Sequence, residues 1–429
     1  MTTFQPPRGM RDYGPKEMVK QNYVFNKIKE VFMRYGFDEL DTPAVESYEL
    51  LAAKGGGGEE IKKEIYYFKD QSGRELGLRF EFTTSAARYV TNKPNLLLPF
   101  KKYQIGKVWR YDRPQKGRYR EFYQCDADII GSSEPEADAE IISMTVDALK
   151  ETGFSDFYVK INSRNLLEGL LVQEGVQKEK CEDFMRSVDK LDKLGEPGVV
   201  EELVQKGFEE PVVQKALSAI KYKGDLKQGL ENIKAENELA KKGLEELKKL
   251  SRALEEYSPD AELVLDLSLA RGLGYYTGIV FEVWSREFNS SLAGGGRWDN
   301  LIEILGGKPT PATGIAIGVE RLIMLMEEKG LLENIPKTVC KVFVAPVNDD
   351  TRKRAFEILK MLRENGIPSE TDLMGRKLRK QLEYASGRGI QYVVIVGQKD
   401  LEEGKVTVRN MLTGEEKKVR TEEVTSMFS

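Results

Sequence analysis

The chain contains no histidine. That absence excludes Ser-His-Asp and Cys-His nucleophile systems, imidazole general bases and His-ligated zinc in one step. Any catalysis must use Arg, Asp, Glu, Tyr and a bound metal. Reactions driven by orienting and neutralising phosphates suit that set, because they ask for little proton transfer from the protein. Cysteine is scarce: Cys125, Cys181 and Cys340 lie too far apart for a zinc pattern and are odd in number, which argues against a disulfide framework and predicts buried thiols. No apolar run approaches the roughly 20 residues of a membrane helix, and the opening "MTTFQPPRGMRDYG" lacks the apolar core of a secretory signal. A cytoplasmic protein without membrane contact is expected. Neither charge sign dominates: 66 Lys and Arg against 70 Asp and Glu leave a net charge of -4. No global attraction to nucleic acid follows, so such a partner must be held by local basic patches.

At 429 residues the chain exceeds the size at which a single core stops growing, and two or three domains are expected. Val24, Ile28, Val31, Phe32 and Tyr35 recur at helical spacing and Gly36 follows, which predicts an amphipathic first helix over 16–35. "FDELDTPAVES" reads as a short extended segment whose Pro43 suits an edge or an interface. In "YYFKDQSGRELGLRFEFTTSAARYV" a hairpin turning at Ser72 and Gly73, a strand ending near Thr83 and then a helix are predicted. "KKYQIGKVWRYD" and "YREFYQCDADIIG" read as two antiparallel strands joined by the basic loop "RPQKGR", with polar residues pointing from one face of the sheet. From 165 to 255 the texture turns to charged helical sequence such as "NELAKKGLEELKKLSRALEEY", read as an inserted helical module. Strand character returns at 279–284, followed by "SLAGGGRWDNLIEILGG" and "PATGIAIGVERLIMLMEEKG". After Pro336, "KVFVAPV", a helix bearing Ala355, Ile358, Leu359 and Leu362, "YVVIVG" and "KVTVRNM" describe a compact α/β domain.

Two segments carry arginines on the presumed sheet. "VWRYDRPQKGRYREFYQ" supplies Arg110 and Arg118 and "GIAIGVERL" supplies Arg321, while Pro43 stands ahead of both. In that order they resemble motifs 2, 3 and 1 of the class II aminoacyl-tRNA synthetases. "RGLGYYTGIVFE" and "SLAGGGRWDNLIEILGG" are similar to the two signature segments of the histidyl-tRNA synthetases, and with "LRFEFTTSAARY" and "YREFYQCDADIIG" the similarity extends over nearly the whole chain. The resemblance implies an α/β multidomain protein. Its catalytic domain would be a class II antiparallel β-sheet flanked by helices, in two parts at 1–164 and 256–332. A helical insertion at 165–255 and a C-terminal α/β anticodon-binding domain at 338–429 would complete it.

The same resemblance implies ATP-dependent activation of L-histidine to histidyl-adenylate and transfer to the 3′ end of tRNA(His), with Mg2+ accompanying the ATP and no organic cofactor. Arg110 would hold the α-phosphate, Arg118 and Arg321 the outer phosphates and Asp112 the adenine edge. Arg271 would touch the substrate carboxylate and the α-phosphate. Glu81 and Thr83 would receive the α-ammonium beside Gln124, and Asp128 with one of Tyr275 and Tyr276 would bracket the imidazole. Physical chemistry supports the arginines independently, since a bent triphosphate needs every charged oxygen compensated and guanidinium groups do this bidentately. A carboxylate and a phenol at fixed separation likewise demand both nitrogens of an imidazole; other amino acids would leave Asp128 buried and unpaired. Alternation along a strand would put one of the adjacent tyrosines in the core and the other in the pocket. Arg113 and Arg120 are expected to be surface partners.

"AGGGRWDN" is expected to let backbone approach the substrate, and the glycines at 55–58 to belong to a closing lid. Gln115 and Lys116 in the basic loop, and Arg376 and Lys377 at a helix start in the tail, are expected tRNA contacts. A homodimer is implied through the segment around Pro43. The chain departs from the usual family pattern at Gly274, Trp298 and Phe82. A non-catalytic histidine-binding regulatory paralogue is the rival, disfavoured because both the tail and Arg271 are present. A class II enzyme for another amino acid such as proline would lack "RGLGYYTG".

Overall fold

The computed structural model describes residues 4–53, 63–113, 117–257, 259–270, 275–287 and 291–428. The chain divides into two compact units, 1–12 with 23–331 and 13–22 with 332–429. A helix over Pro15–Arg34 opens it, burying Val24, Ile28, Val31 and Phe32 as the spacing predicts, and Gly36 follows at a φ of 74°.

In the first unit the strands are β1 (Asp38–Glu39), β2 (Val45–Ser47), β3 (Tyr67–Lys69), β4 (Glu75–Leu78), β5 (Phe100–Trp109), β6 (Glu121–Ile130), β7 (Phe157–Ser163), β8 (Lys223–Asp225), β9 (Glu262–Asp266), β10 (Ile279–Ser285), β11 (Ser291–Arg297) and β12 (Ala312–Gly318). Among the described residues, nine of them form one sheet in the order β1-β5-β6-β12-β11-β10-β7-β9-β8, and β2-β4-β3 form a small antiparallel sheet beside it. The central strands from β5 through β6, β12, β11 and β10 to β7 are all antiparallel, and β1 and β9 join parallel to β5 and β7.

The predicted β5–β6 pair is long and regular, running from Phe100 opposite Ile130 to Trp109 opposite Glu121. The β3–β4 hairpin turns at Ser72 and Gly73, but its second strand stops at Leu78, short of Thr83. The cause is local. The Glu81 carboxylate accepts the Thr83 amide at 2.7 Å and the Thr84 amide at 2.9 Å, so the backbone is already entering the helix Thr83–Thr91. The charged stretch after β7 is helical over much of its length, and its three-residue β8 pairs with β9 at the sheet edge.

The second unit holds β13 (Val342–Pro346), β14 (Ser369–Thr371), β15 (Tyr392–Val396), β16 (Lys405–Asn410) and β17 (Glu416–Arg420) in the order β14-β13-β15-β16-β17. The helix Asp349–Glu364 turns Ala355, Ile358, Leu359 and Leu362 into a core shared with Val342, Val344 and Val394. All three cysteines are buried free thiols. Burial pushes Cys181 up to about 12 and Cys340 to about 11, which leaves both unreactive. No helix among the described residues is long and apolar enough to cross a membrane.

One buried ion pair ties the glycine-rich strand to the helix behind it. Arg297, at the end of β11, donates through Nε to Asp138 at 2.7 Å and through its two terminal nitrogens to the carbonyls of Ser132 and Glu134 at 2.9 and 2.7 Å. Asp138 lies in the first turn of the helix Pro135–Glu151. Burial raises its carboxyl from 3.8 to about 6 despite Arg297, so the part of stability linked to that proton is full below about 3.8 and is lost as pH rises through about 6, while the ion pair with Arg297 remains above it. We expect Asp138→Ala to destabilise the first unit by about 3–5 kcal/mol at neutral pH, because it removes the buried carboxylate hydrogen-bonded to Arg297 and leaves that cation, among the described residues, only Asp299, 3.6 Å away. Thermal unfolding checks this. Asp138→Asn should also flatten the pH dependence of stability between pH 4 and 6, whereas an unchanged midpoint for Asp138→Ala would show that Arg297 does not depend on Asp138.

Candidate active site

Strand alternation on β6 sends Gln124, Asp126 and Asp128 to one face of the sheet and Cys125, Ala127 and Ile129 to the other. Across the register, β5 contributes Gly106, Gln104 and Lys102 to the polar face, and β12 contributes Gly318, Ala316 and Gly314. One strand further, Gly294 of β11 lies opposite Ala316 and is paired on its other side with Glu282 of β10. The middle of this face is therefore a floor of glycine and alanine with polar groups on either side. Gly314 is required there: a Cβ would sit 1.8 Å from Asp128 Oδ1.

Above that floor is a cavity of about 390 Å³, lined on the β5–β6 side by Arg110, Asp112, Arg118 and Gln124 and on the β11–β12 side by Gly294, Ala316, Glu320 and Arg321. Five expected site residues thus share one cavity. Arg110 is oriented by its Nε, which donates to the Phe80 carbonyl at 3.0 Å, and by Phe122, whose ring lies 5.3 Å from the guanidinium carbon. Arg321 donates to the Ser291 carbonyl at 2.8 Å and to the Gly117 carbonyl at 3.4 Å, and Arg118 is exposed at the mouth. A second cavity of about 550 Å³ shares Arg118, Glu282, Ser291 and Arg321 with the first and runs on to Lys160, Asp266 and Trp284. These volumes suit a nucleotide with a small second substrate.

The remaining expected residues lie deeper or elsewhere. Glu81 and Thr83 are both buried, with the Glu81 carboxylate seated on the helix N-terminus. Asp128 does not line the first cavity but lies two alternations from Gln124, 3% exposed. The expectation that it would lack a partner until substrate arrives is not met, because Lys102 Nζ stands 2.5 Å from its Oδ2. Burial raises the Asp128 carboxyl and Lys102 pulls it back down. Tyr275 and Tyr276 precede β10, so strand alternation does not divide them; their ring centroids are 4.4 Å apart and both pack in one cluster with Trp298.

The glycines of "AGGGRWDN" divide their roles. Gly294 lines the cavity, whereas Gly296 has a φ of 150° and a Cβ there would meet the Ile279 carbonyl at 2.4 Å, so that glycine serves strand packing. In the tail, Arg376 pairs with Asp372 at 2.6 Å and covers the Tyr384 ring, and Lys377 is exposed at the N-cap of the helix Leu378–Arg388. Arg271, Gly274, Gln115, Lys116 and the glycines at 55–58 lie outside the described residues.

Several contributors were missed in the sequence. Glu320 accepts the Tyr123 amide at 2.7 Å, and Glu282 accepts the Trp284 indole N–H at 2.5 Å. Arg120 is no mere surface partner: its Nε holds the Asp112 carbonyl at 2.9 Å and its guanidinium lies 4.0 Å above the Tyr111 ring, bracing the loop that carries Asp112. The adjacency of Glu320 to Arg321 was the available signal for the first; for Lys102 no local signal exists.

The histidyl-tRNA synthetase family model matches residues 9–322, and an anticodon-binding-domain model matches 341–429. The chain belongs to the histidyl-tRNA synthetase family. It is 42% identical to the histidine–tRNA ligase of Pyrococcus furiosus over 97% of this chain and 96% of that one, and 40% identical to that of Methanocaldococcus jannaschii over 99% of both. The solved histidyl-tRNA synthetase of Nostoc sp. PCC 7120 superposes over 100% of both chains with a TM-score of 0.87 at 28% identity. That match bears out the expected class II fold with its C-terminal anticodon-binding domain. A Bacillus halodurans structure titled as an ATP phosphoribosyltransferase regulatory subunit/histidyl-tRNA synthetase shares the fold at a TM-score of 0.77 and 24% identity, covering 92% of this chain and 98% of that one.

Within this histidyl-tRNA synthetase family site, glycine spacing gives a direct test. Gly314→Ala should cost about 1–3 kcal/mol by driving a methyl into the Asp128 carboxylate. Gly318→Ala, whose nearest neighbour is 3.5 Å away, should stay within about 0.5 kcal/mol. Equal unfolding midpoints for the two variants would contradict the packing described.

Proposed function

We propose that this chain is a histidine–tRNA ligase that joins histidine to ATP, releasing pyrophosphate, and passes the histidyl group to tRNA(His). The observation that carries the proposal is the single cavity in which Arg110, Asp112, Arg118 and Arg321 converge on the face that continues to Asp128. Arg110 compensates the α-phosphate, Arg118 and Arg321 the outer phosphates, and Asp112 meets the adenine edge. Arg271 completes the charge at the reacting centre. The α-ammonium of histidine is held by Glu81, Thr83 and Gln124, and the imidazole lies against Asp128 and one of Tyr275 and Tyr276. In the first step a histidine carboxylate oxygen forms a bond to the α-phosphorus as the bond to the bridging oxygen of pyrophosphate breaks. The residues act by orientation and charge compensation.

Mg2+ accompanying the triphosphate would neutralise part of its charge. Such an ion needs one or two carboxylates beside phosphate oxygens, and Glu282 and Glu320 on the cavity wall fit that donor set. In the second step a terminal ribose hydroxyl of the tRNA attacks the acyl carbon and AMP leaves; with no histidine side chain in the chain, a phosphate oxygen of the adenylate takes the proton. We further propose a cytoplasmic homodimer joined around Pro43, domain limits at 1–164, 165–255, 256–332 and 338–429, and tRNA contacts at Gln115, Lys116, Arg376 and Lys377.

Amino-acid-dependent ATP–pyrophosphate exchange tests the reading: histidine alone should support it. No exchange with histidine would instead favour the regulatory paralogue. Arg321→Ala should lower kcat/KM for ATP by about 10- to 100-fold, the loss of one charged hydrogen-bonding group. The transfer step should show no essential enzyme group titrating near pH 7, and a clear pKa there would contradict the phosphate-oxygen base.

A further inference from the structure

Lys102 has no exposed surface, an unusual position for an ammonium. Besides its 2.5 Å pairing with Asp128, its Nζ donates to Gln104 Oε1 at 3.0 Å, and Gln104 in turn donates to Thr42 Oγ1 at 3.0 Å. Burying that ammonium costs several kcal/mol unless its partner is charged and well placed, and an apolar side chain would fill a purely structural position as well. The position is on the polar face, directly across β5–β6 from Asp128. Lys102 stands against Oδ2 of that carboxylate as an ion pair, Oδ2 has no hydrogen-bond partner among the described residues, and Oδ1 lies over Gly314 on the glycine floor.

Among the described residues, the charged groups facing Asp128 come from three elements, and the neutral phenols of Tyr275 and Tyr276 pack beside Trp298. Lys102 comes from β5, Asp126 from β6 itself and Glu81 from the segment ahead of the helix Thr83–Thr91. β12 presents only Gly314, and Trp298 brings an indole N–H without charge. Burial holds the Asp126 carboxyl well above its ordinary range, which favours its neutral form, and Glu81 is engaged with the helix amides. Among the described residues, Lys102 and Asp128 therefore balance one another before any ligand is bound.

We propose that Lys102 is a positioning residue that keeps Asp128 a carboxylate by standing as its counter-charge, so that the pocket accepts an N–H from an uncharged imidazole and disfavours imidazolium. This rests on the reading above that the histidine ring docks against Asp128. An imidazolium would add a buried charge to a pair that is already neutral, whereas a neutral ring adds none. Removing the ammonium reverses the preference, because the remaining carboxyl then needs a proton of its own or a cationic ring.

The experiment uses the full chain and ATP–pyrophosphate exchange with Lys102→Met, Lys102→Arg and Asp128→Asn. Lys102→Met should raise KM for histidine by about 10- to 100-fold at pH 8 with KM for ATP unchanged, and Lys102→Arg should restore most of it. The variant complex carries one more proton than the wild type, so the ratio of variant to wild-type kcat/KM for histidine should rise as pH falls from 8.5 to 6.5, approaching tenfold per unit. A pH-independent ratio, with Asp128→Asn still impairing histidine, overturns the role of Lys102 and leaves the docking intact. Normal histidine kinetics in Asp128→Asn would overturn the docking itself. Should Lys102→Met fail to fold, nitrogen NMR of ring-labelled histidine bound to the wild-type chain decides. At pH 6, where most of the free ring is protonated, the bound ring should be neutral, and a bound imidazolium would overturn the proposal.

Discussion

Period-two alternation along β5 and β6 is the constraint on which the site depends. Because side chains on a strand change face at every residue, Gln124, Asp126 and Asp128 must share a face, and the antiparallel register then puts Lys102 and Gln104 beside the two aspartates. A shift of one residue would bury Cys125, Ala127 and Ile129 under the cavity and send every polar group into the apolar layer behind. The ten-residue length of both strands and the packing of the helix Pro135–Glu151 against that layer resist such a slip.

Room for ligands comes from what the neighbouring strands lack. β11 and β12 offer glycine and alanine on the same face, so the space that side chains would fill is left to substrate. Positive charge enters from the margins: Arg110 leaves the end of β5, Arg118 sits on the loop to β6 and Arg321 begins the helix after β12. Each of Arg110 and Arg321 spends some donors on a backbone carbonyl, which orients the guanidinium before ligand arrives. A polar floor and a cationic rim thus follow from one sheet, and the proposed reading gives the first to the amino acid and the second to the nucleotide.

Much of this was legible in the sequence because the informative patterns are local. The alternation in "YREFYQCDADIIG", the glycines of "SLAGGGRWDN", the helical spacing of the first helix and the strand–helix repeats of the tail each lie within one element. The rest needed pairings between distant residues. Lys102 reads as one of two adjacent lysines on a strand until β6 is laid beside it. Arg297 and Asp138 are 159 positions apart in the chain and have no common motif. β8 is a Lys-Gly-Asp triplet without apolar periodicity inside charged helical sequence, so only its pairing with β9 reveals it as a strand. The tyrosine pair lies just ahead of the strand Ile279–Ser285, where period-two alternation does not hold.

The central claim is that amino acid and nucleotide occupy one face of one sheet, with the imidazole at the Asp128 end and the triphosphate at the Arg118 and Arg321 end. A crystal structure with histidinol and ATP bound tests it most directly. The account predicts the imidazole within hydrogen-bond distance of Asp128 and the outer phosphates against Arg118 and Arg321. An imidazole bound away from Asp128, or a triphosphate bound clear of both arginines, would contradict it.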